Sequence, residues 1–217
     1  MDKRFTSNKN VRIPISLSRV LICFGPCAVK IDPYRFILNK STGKTGKEIL
    51  KLLLKRGYLV DLLVFRDIVL EPSLIRRLKK IKKYFYFEDF KHYLKSLLAK
   101  RKYDIIIFLS ALPDFKPQRA FEGKMDSRRG YLLKLVPTEK VIMDLRSLQP
   151  QSKIIGFKLA HKHLLIKANK LLNKAKLNYV VANSLRPKYK AMIVGKDFIS
   201  KVARTRKEIA RLLVGLL

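Results

Sequence analysis

The run Tyr103-Asp-Ile-Ile-Ile-Phe-Leu109 sets the class of this 217-residue chain. Five apolar residues follow one another without polar alternation. Such a run predicts a strand buried on both faces, as in a parallel sheet. Similar short runs lie on either side: Arg19–Phe24 before a Gly-Pro break, Tyr58–Phe65, Lys153–Phe157 and Tyr179–Ala182. Helical stretches separate them. In Lys44–Arg56, Ile49, Leu50, Leu53 and Leu54 fall on one face and Lys47, Lys51 and Lys55 on the other, and Gly57 closes the helix. Residues 71–102 read as helical and strongly basic, and Glu139–Leu148, Leu164–Lys176 and Thr205–Leu216 as helices. Hairpins are expected at Lys124–Val136, around Arg129-Gly130, and at Lys190–Val194 with Phe198–Val202, around Gly195-Lys196. Strands alternating with helices predict an α/β fold: a Rossmann-like, mostly parallel sheet with helices on both faces and β-hairpin extensions. Ligands of such sheets bind at the carboxyl ends of the strands, here loops 25–42, 110–123, 157–163 and 183–189. Residues 1–18 read as a basic arm, and 19–217 as a single domain with a flap at about 117–136.

Lys and Arg number 49 against 16 Asp and Glu, a formal net charge of +33. Nucleic-acid binding is the first class this suggests. Hydrophobic residues make up 48 % of the chain, which excludes disorder as its overall state. The excess is spread over every helical segment, and only residues 103–150, with eight basic and six acidic side chains, are nearly balanced. The cluster Tyr84-Phe-Tyr-Phe87 between lysines reads either as a base-stacking platform or as a core face. Cys23 and Cys27 are too few for a disulfide framework and read as reduced thiols. No run of 18 apolar residues predicts a transmembrane helix. Val20–Phe24 is too short for the apolar part of a signal peptide, so a cytoplasmic protein is expected.

Three places invite chemistry. Gly43-Lys44-Thr45 resembles the end of a P-loop, but the glycine such a loop requires five positions earlier is Leu38. The dinucleotide fingerprint fails as well, since Gly25 has no partner glycine two residues on. Ser41, Thr42 and Gly43 lead straight into a helix, and read either as a phosphate cradle or as a helix cap. Asp114, just beyond the central strand, suits a sugar hydroxyl or a metal, or else pairs with a nearby lysine. Lys124, before the expected hairpin, is by default one solvated charge among many.

Taken together, Val20-Leu-Ile-Cys-Phe-Gly-Pro26, Asp32-Pro-Tyr-Arg-Phe-Ile-Leu-Asn-Lys-Ser-Thr-Gly-Lys-Thr-Gly46, Ser110-Ala-Leu-Pro-Asp-Phe-Lys-Pro117, Glu122-Gly-Lys124, Leu135-Val-Pro-Thr-Glu-Lys-Val-Ile-Met-Asp144, Gly156-Phe157, Ala168–Lys174 and Val181-Ala-Asn183 resemble phosphopantothenate–cysteine ligases. These are the ligase half of the bifunctional coenzyme A biosynthesis protein, and the resemblance runs from about residue 19 to the C-terminus. The chain departs from the family pattern at Cys27–Lys30, at Met125–Ser127, at Lys158–Ala160 and at Asn178, where the family has an acid. Thr42 replaces a serine and keeps the hydroxyl.

The resemblance implies a stand-alone ligase without the flavin-dependent decarboxylase half. The carboxylate of 4′-phosphopantothenate is activated by CTP or ATP with magnesium, and cysteine then forms the amide. It implies Asn39 and Lys124 as catalytic residues. Gly25, Ser41, Thr42, Gly43, Ser110, Asp114, Lys124, Thr138, Glu139, Lys140, Val141, Phe157, Lys170 and Lys174 would meet the nucleotide. Arg35, Asn39 and Ala111 would meet the substrate, and no metal ligand is assigned. A homodimer is implied, with residues 124–136 and 190–202 as candidate interface, and neither a membrane nor a nucleic acid is required. A nucleic-acid binder on a Rossmann-like scaffold, or a ligase homologue of weakened activity, are the alternative readings.

Overall fold

In the computed structural model, residues 18–217 are described, so the expected basic arm lies outside the described residues except for Ser18. The first apolar run forms β1 (Arg19–Pro26), two residues longer than expected, and the loop after it holds a small antiparallel pair, β2 (Ala28–Lys30) and β3 (Phe36–Leu38). Helix α1 (Lys44–Lys55) buries Ile49, Leu50, Leu53 and Leu54, the face its spacing predicts. Strand β4 (Leu59–Phe65) follows.

Residues 71–102 are not one helical segment. They form α2 (Pro72–Ile75), β5 (Lys80–Tyr84) and α3 (Phe87–Lys100). Strand β5 was masked by Lys79, Lys80, Lys82 and Lys83. It is one of the two edge strands of the sheet, where lysines discourage pairing with another chain. The aromatic cluster resolves in favour of the core: Tyr84, Phe85 and Phe87 are buried, and Tyr84 stacks edge-on against Phe90. A base-stacking platform is therefore contradicted there.

Strand β6 (Ile105–Ala111) is the central run, buried from Ile105 to Phe108. The expected hairpin over 124–136 is corrected. The antiparallel pair is β7 (Phe115–Pro117) with β8 (Leu135–Pro137), and 118–134 is an irregular flap between them. The turn near Arg129 is closed by Asp126, whose carboxylate accepts the backbone N–H of Arg128 at 3.0 Å and its Nε at 3.1 Å. Such local side-chain bonds compete with ladder pairing. The expected helix Glu139–Leu148 reduces to a 3-10 turn at Val141–Met143 and the single turn α4 (Leu145–Leu148). Then come β9 (Lys153–Leu159), α5 (Leu164–Lys174), β10 (Tyr179–Ser184), the expected terminal hairpin as β11 (Lys190–Gly195) and β12 (Phe198–Ile199), and α6 (Arg206–Gly215), capped by Thr205.

One eight-stranded sheet has the order β12-β11-β10-β9-β6-β1-β4-β5. The six strands from β10 to β5 are parallel, and β11 and β12 are antiparallel. The chain leaves β1 toward β4 and β5, then returns to place β6 on the other side of β1. Right-handed crossovers in opposite directions put α1 and α3 on opposite faces. The reversal opens a crevice between the carboxyl ends of β1 and β6, where ligands of such sheets bind.

Candidate functional site

Strand register brings the first two motifs together. Gly25 pairs with Ser110 and Pro26 with Ala111 at the carboxyl ends of β1 and β6. Gly25 has φ 110°, and a Cβ there would lie 2.6 Å from Phe65 Cβ, so only glycine fits this strand end. The hydroxyl of Tyr84 lies 3.2 Å from the Phe24 carbonyl, 3.3 Å from that of Gly25 and 3.2 Å from Ser110 Oγ. A buried phenol thus braces both strand ends from below. Burial pushes the Tyr84 hydroxyl well above its usual value, so it remains a donor. Sequence reasoning missed Tyr84, because its signal was absorbed into an aromatic cluster in a segment read as helix.

Asn39 crosses the crevice from the other side. Its Nδ2 donates to the carbonyls of Ala111 at 3.2 Å and Leu112 at 2.8 Å. Four residues on, Gly43 precedes α1 in the left-handed conformation (φ 67°), and no side chain caps the helix. The capping alternative for Ser41 or Thr42 is contradicted. The first amides of α1 are left without a side-chain acceptor, an arrangement suited to an anion.

Asp114 lies exposed beyond β6 and is ion-paired to Lys140. The loop that carries Lys140 is tied back to the same place. The Thr138 N–H donates to the Asp114 carbonyl at 3.0 Å, and its hydroxyl donates to the Pro113 carbonyl. Glu139 pairs with Lys91 at 3.0 Å, which holds its carboxyl below the usual range. Ile142, one residue past Val141, packs over Gly156 in β9. Phe157 follows the Phe108–Gly156 pair and so sits at the same edge as Ser110.

The flap folds back over the loop between β2 and β3. Phe121 N–H donates to the Ile31 carbonyl at 2.8 Å, and Lys124 Nζ lies 5.9 Å from the Tyr34 ring centre. Arg35 Nη1 is paired to Asp32 at 2.6 Å. Lys170 and Lys174 are not joined to these groups. Both are exposed on α5, and Lys174 is in its last turn. The chain then reaches Asn178, whose N–H donates to the Ile154 carbonyl near the start of β9, the sheet edge opposite the crevice. Asn178 Oδ1 accepts Arg146 Nη2 and the Ile154 N–H, each at 2.8 Å, so the amide acts as an acceptor where the family pattern has an acid.

Cys23 and Cys27 are buried, unbonded thiols. Burial, reinforced by Asp89 and Glu88, pushes Cys27 up to about 12, so neither is a nucleophile at neutral pH. Among the described residues no three His, Cys, Asp or Glu side chains gather as a metal site, and no helix is long and apolar enough to cross a membrane.

An open, mostly parallel sheet with motif residues gathered at its reversal point defines a Rossmann-like α/β domain. The chain belongs to the family described as the DNA/pantothenate metabolism flavoprotein C-terminal domain, which it matches over residues 15–213. It is 32 % identical over 201 residues to the coenzyme A biosynthesis bifunctional protein CoaBC of Thermococcus kodakarensis, covering 88 % of this chain and 49 % of that protein. To CoaBC of Methanocaldococcus jannaschii it is 33 % identical over 208 residues, covering 91 % and 49 %. The chain therefore spans about half the length of these curated relatives. The crystal structure of the DNA/pantothenate metabolism flavoprotein from Streptococcus pneumoniae superposes with a TM-score of 0.79 at 26 % identity, covering 92 % of this chain and 97 % of that one.

Proposed function

We propose that this chain is a phosphopantothenate–cysteine ligase domain of coenzyme A biosynthesis. The observation that carries the reading is the crossing of Asn39 over the β1–β6 crevice onto the Ala111 and Leu112 carbonyls. It brings the substrate-type motif to the strand ends, beside the uncapped start of α1. In the first step the carboxylate of 4′-phosphopantothenate attacks the α-phosphorus of CTP or ATP. Pyrophosphate leaves and an acyl-nucleotide forms. In the second, the cysteine amine attacks the acyl carbon, the nucleoside monophosphate leaves, and the amine proton is released.

Each step brings anions together, so fixed N–H dipoles and cations lower the barrier more than they aid ground-state binding. In this reading Gly25, Ser41, Thr42 and Gly43 take phosphate oxygens, and Lys124 reaches the triphosphate from the flap. Ser110, Asp114 and the Thr138–Val141 loop border the nucleoside, with Phe157 beside them. Arg35 and the Ala111 backbone hold phosphopantothenate, and Asn39 orients the acyl group. Magnesium would enter with the nucleotide, as the companion of its phosphates. Exposed Tyr131, Leu132 and Leu135 on the flap, and Phe198, Ile199 and Val202 at the terminal hairpin, support a homodimer through those segments. A cytoplasmic location belongs to the same proposal.

The test is release of pyrophosphate with phosphopantothenate, cysteine and either nucleotide. Pyrophosphate release that requires phosphopantothenate, limited to about one turnover without cysteine and sustained once cysteine is added, supports the ligase. No release with CTP or ATP rejects it.

A further inference from the structure

We propose that Asp32 is a positioning residue that locks Arg35 and the Lys124 segment of the flap into one arrangement over the crevice. Asp32 is 1 % exposed, although it sits in a surface loop. The two oxygens do different work. Oδ1 accepts the backbone N–H groups of Tyr34 at 2.8 Å and Arg35 at 2.6 Å, which closes the local turn. Oδ2 accepts Arg35 Nη1 at 2.6 Å and the backbone N–H of Met125 at 3.4 Å, so it reaches outside the turn. The neighbouring Ile31 carbonyl accepts the Phe121 N–H at 2.8 Å. The flap is thus pegged to this loop at Phe121 and at Met125, and Glu122-Gly123-Lys124 is held between the pegs. A cavity of about 300 Å³ lined by Ile31, Arg35, Met125, Arg129 and Tyr131 lies under the same contact.

A turn alone needs only Oδ1. Replacing Asp32 by asparagine separates the two roles. With the carboxamide oxygen kept on Tyr34 and Arg35, the new NH₂ faces two donors, the Arg35 guanidinium and the Met125 N–H. The turn survives and the link to the flap is lost. A pinned flap presents Lys124 without further ordering on substrate binding, so the link acts on turnover more than on folding.

The first experiment needs no activity. Limited trypsin digestion of the full chain, read by mass spectrometry at Lys124, Arg128 and Arg129, is compared for wild type and Asp32→Asn. Cleavage of a segment that opens locally follows its open population, and an increase of about tenfold at these sites with an unchanged urea midpoint is expected. Unchanged cleavage overturns the proposal. Should the variant fail to fold, amide exchange in the wild type decides. The Met125 N–H is expected to exchange more slowly than those of Lys124 and Ser127, and equal rates overturn the proposal. The kinetic arm rests on the ligase reading. Asp32→Asn is expected to lower kcat for pyrophosphate release about tenfold, and to add nothing when Lys124→Ala is already present. Multiplying effects overturn the link. A wild-type protein that releases no pyrophosphate rejects the ligase reading instead, and the digestion result still stands on its own.

Discussion

Asn39 Nδ2 donates to the Leu112 carbonyl at 2.8 Å, across 73 residues of sequence, and closes one side of the crevice between β1 and β6. Asn39→Ala removes this bond and the companion bond to Ala111. The two carbonyls stay partly solvated, so the stability cost is small. Amide formation is expected to fall by about 10²-fold, the size of effect that follows when a reacting group loses its fixed position. Acyl-nucleotide should still form, and quenched single turnovers with labelled phosphopantothenate would separate the two steps.

Gly25→Ala should be among the most damaging substitutions of a single methyl. The new Cβ would sit 2.6 Å from Phe65 Cβ on a backbone held at φ 110°. Overpacking and strain together predict a loss of about 2–4 kcal/mol, measured by urea denaturation. A stability within 0.5 kcal/mol of wild type would contradict the close approach (a surface-like effect).

Tyr84→Phe removes one hydroxyl and leaves the ring packing in place. The carbonyls of Phe24 and Gly25 and the Ser110 hydroxyl lose their shared neighbour. The expected stability loss is about 1 kcal/mol, with a larger proportional loss of turnover because both strand ends border the crevice. Equal activity at saturating substrates would separate Tyr84 from the site.

The flap latch also predicts a pH dependence. Burial pushes the Asp32 carboxyl up. The N–H groups of Tyr34, Arg35 and Met125 and the charge of Arg35 outweigh it, and the net shift is downward. A carboxyl depressed on folding contributes fully above its unfolded value, about 3.9, and its contribution is lost as pH falls through the lower folded value. Protection of the Met125 amide is therefore expected to be flat from pH 8 to 5 and to fall only below the ordinary carboxylate range. A loss of protection centred at pH 5 or above would contradict the arrangement.

Much of the architecture was legible because burial leaves a simple mark. The isoleucine run of β6 and the lysine-backed apolar face of α1 each have one structural solution. Strand β5 is hard to see because three of its five residues are lysines, which imitate a basic helix. The flap departs from a hairpin around Arg129-Gly130: Asp126 accepts the Arg128 N–H, a local bond that competes with ladder pairing and that spacing does not signal. The site motifs were visible in sequence, but their assembly depends on contacts such as Asn39 to Leu112 and Asp32 to Met125, for which spacing carries no signal. Part of the basic excess, Lys80, Lys82 and Lys83, lies along the edge strand β5.

The most direct test of the account is pyrophosphate release by the purified chain given 4′-phosphopantothenate, cysteine and CTP or ATP with magnesium. The account predicts release that requires phosphopantothenate, with the amide product appearing only when cysteine is added, and a drop of about 10²-fold in amide formation for Asn39→Ala. Absence of pyrophosphate with both nucleotides, from a protein shown to be folded, would contradict it.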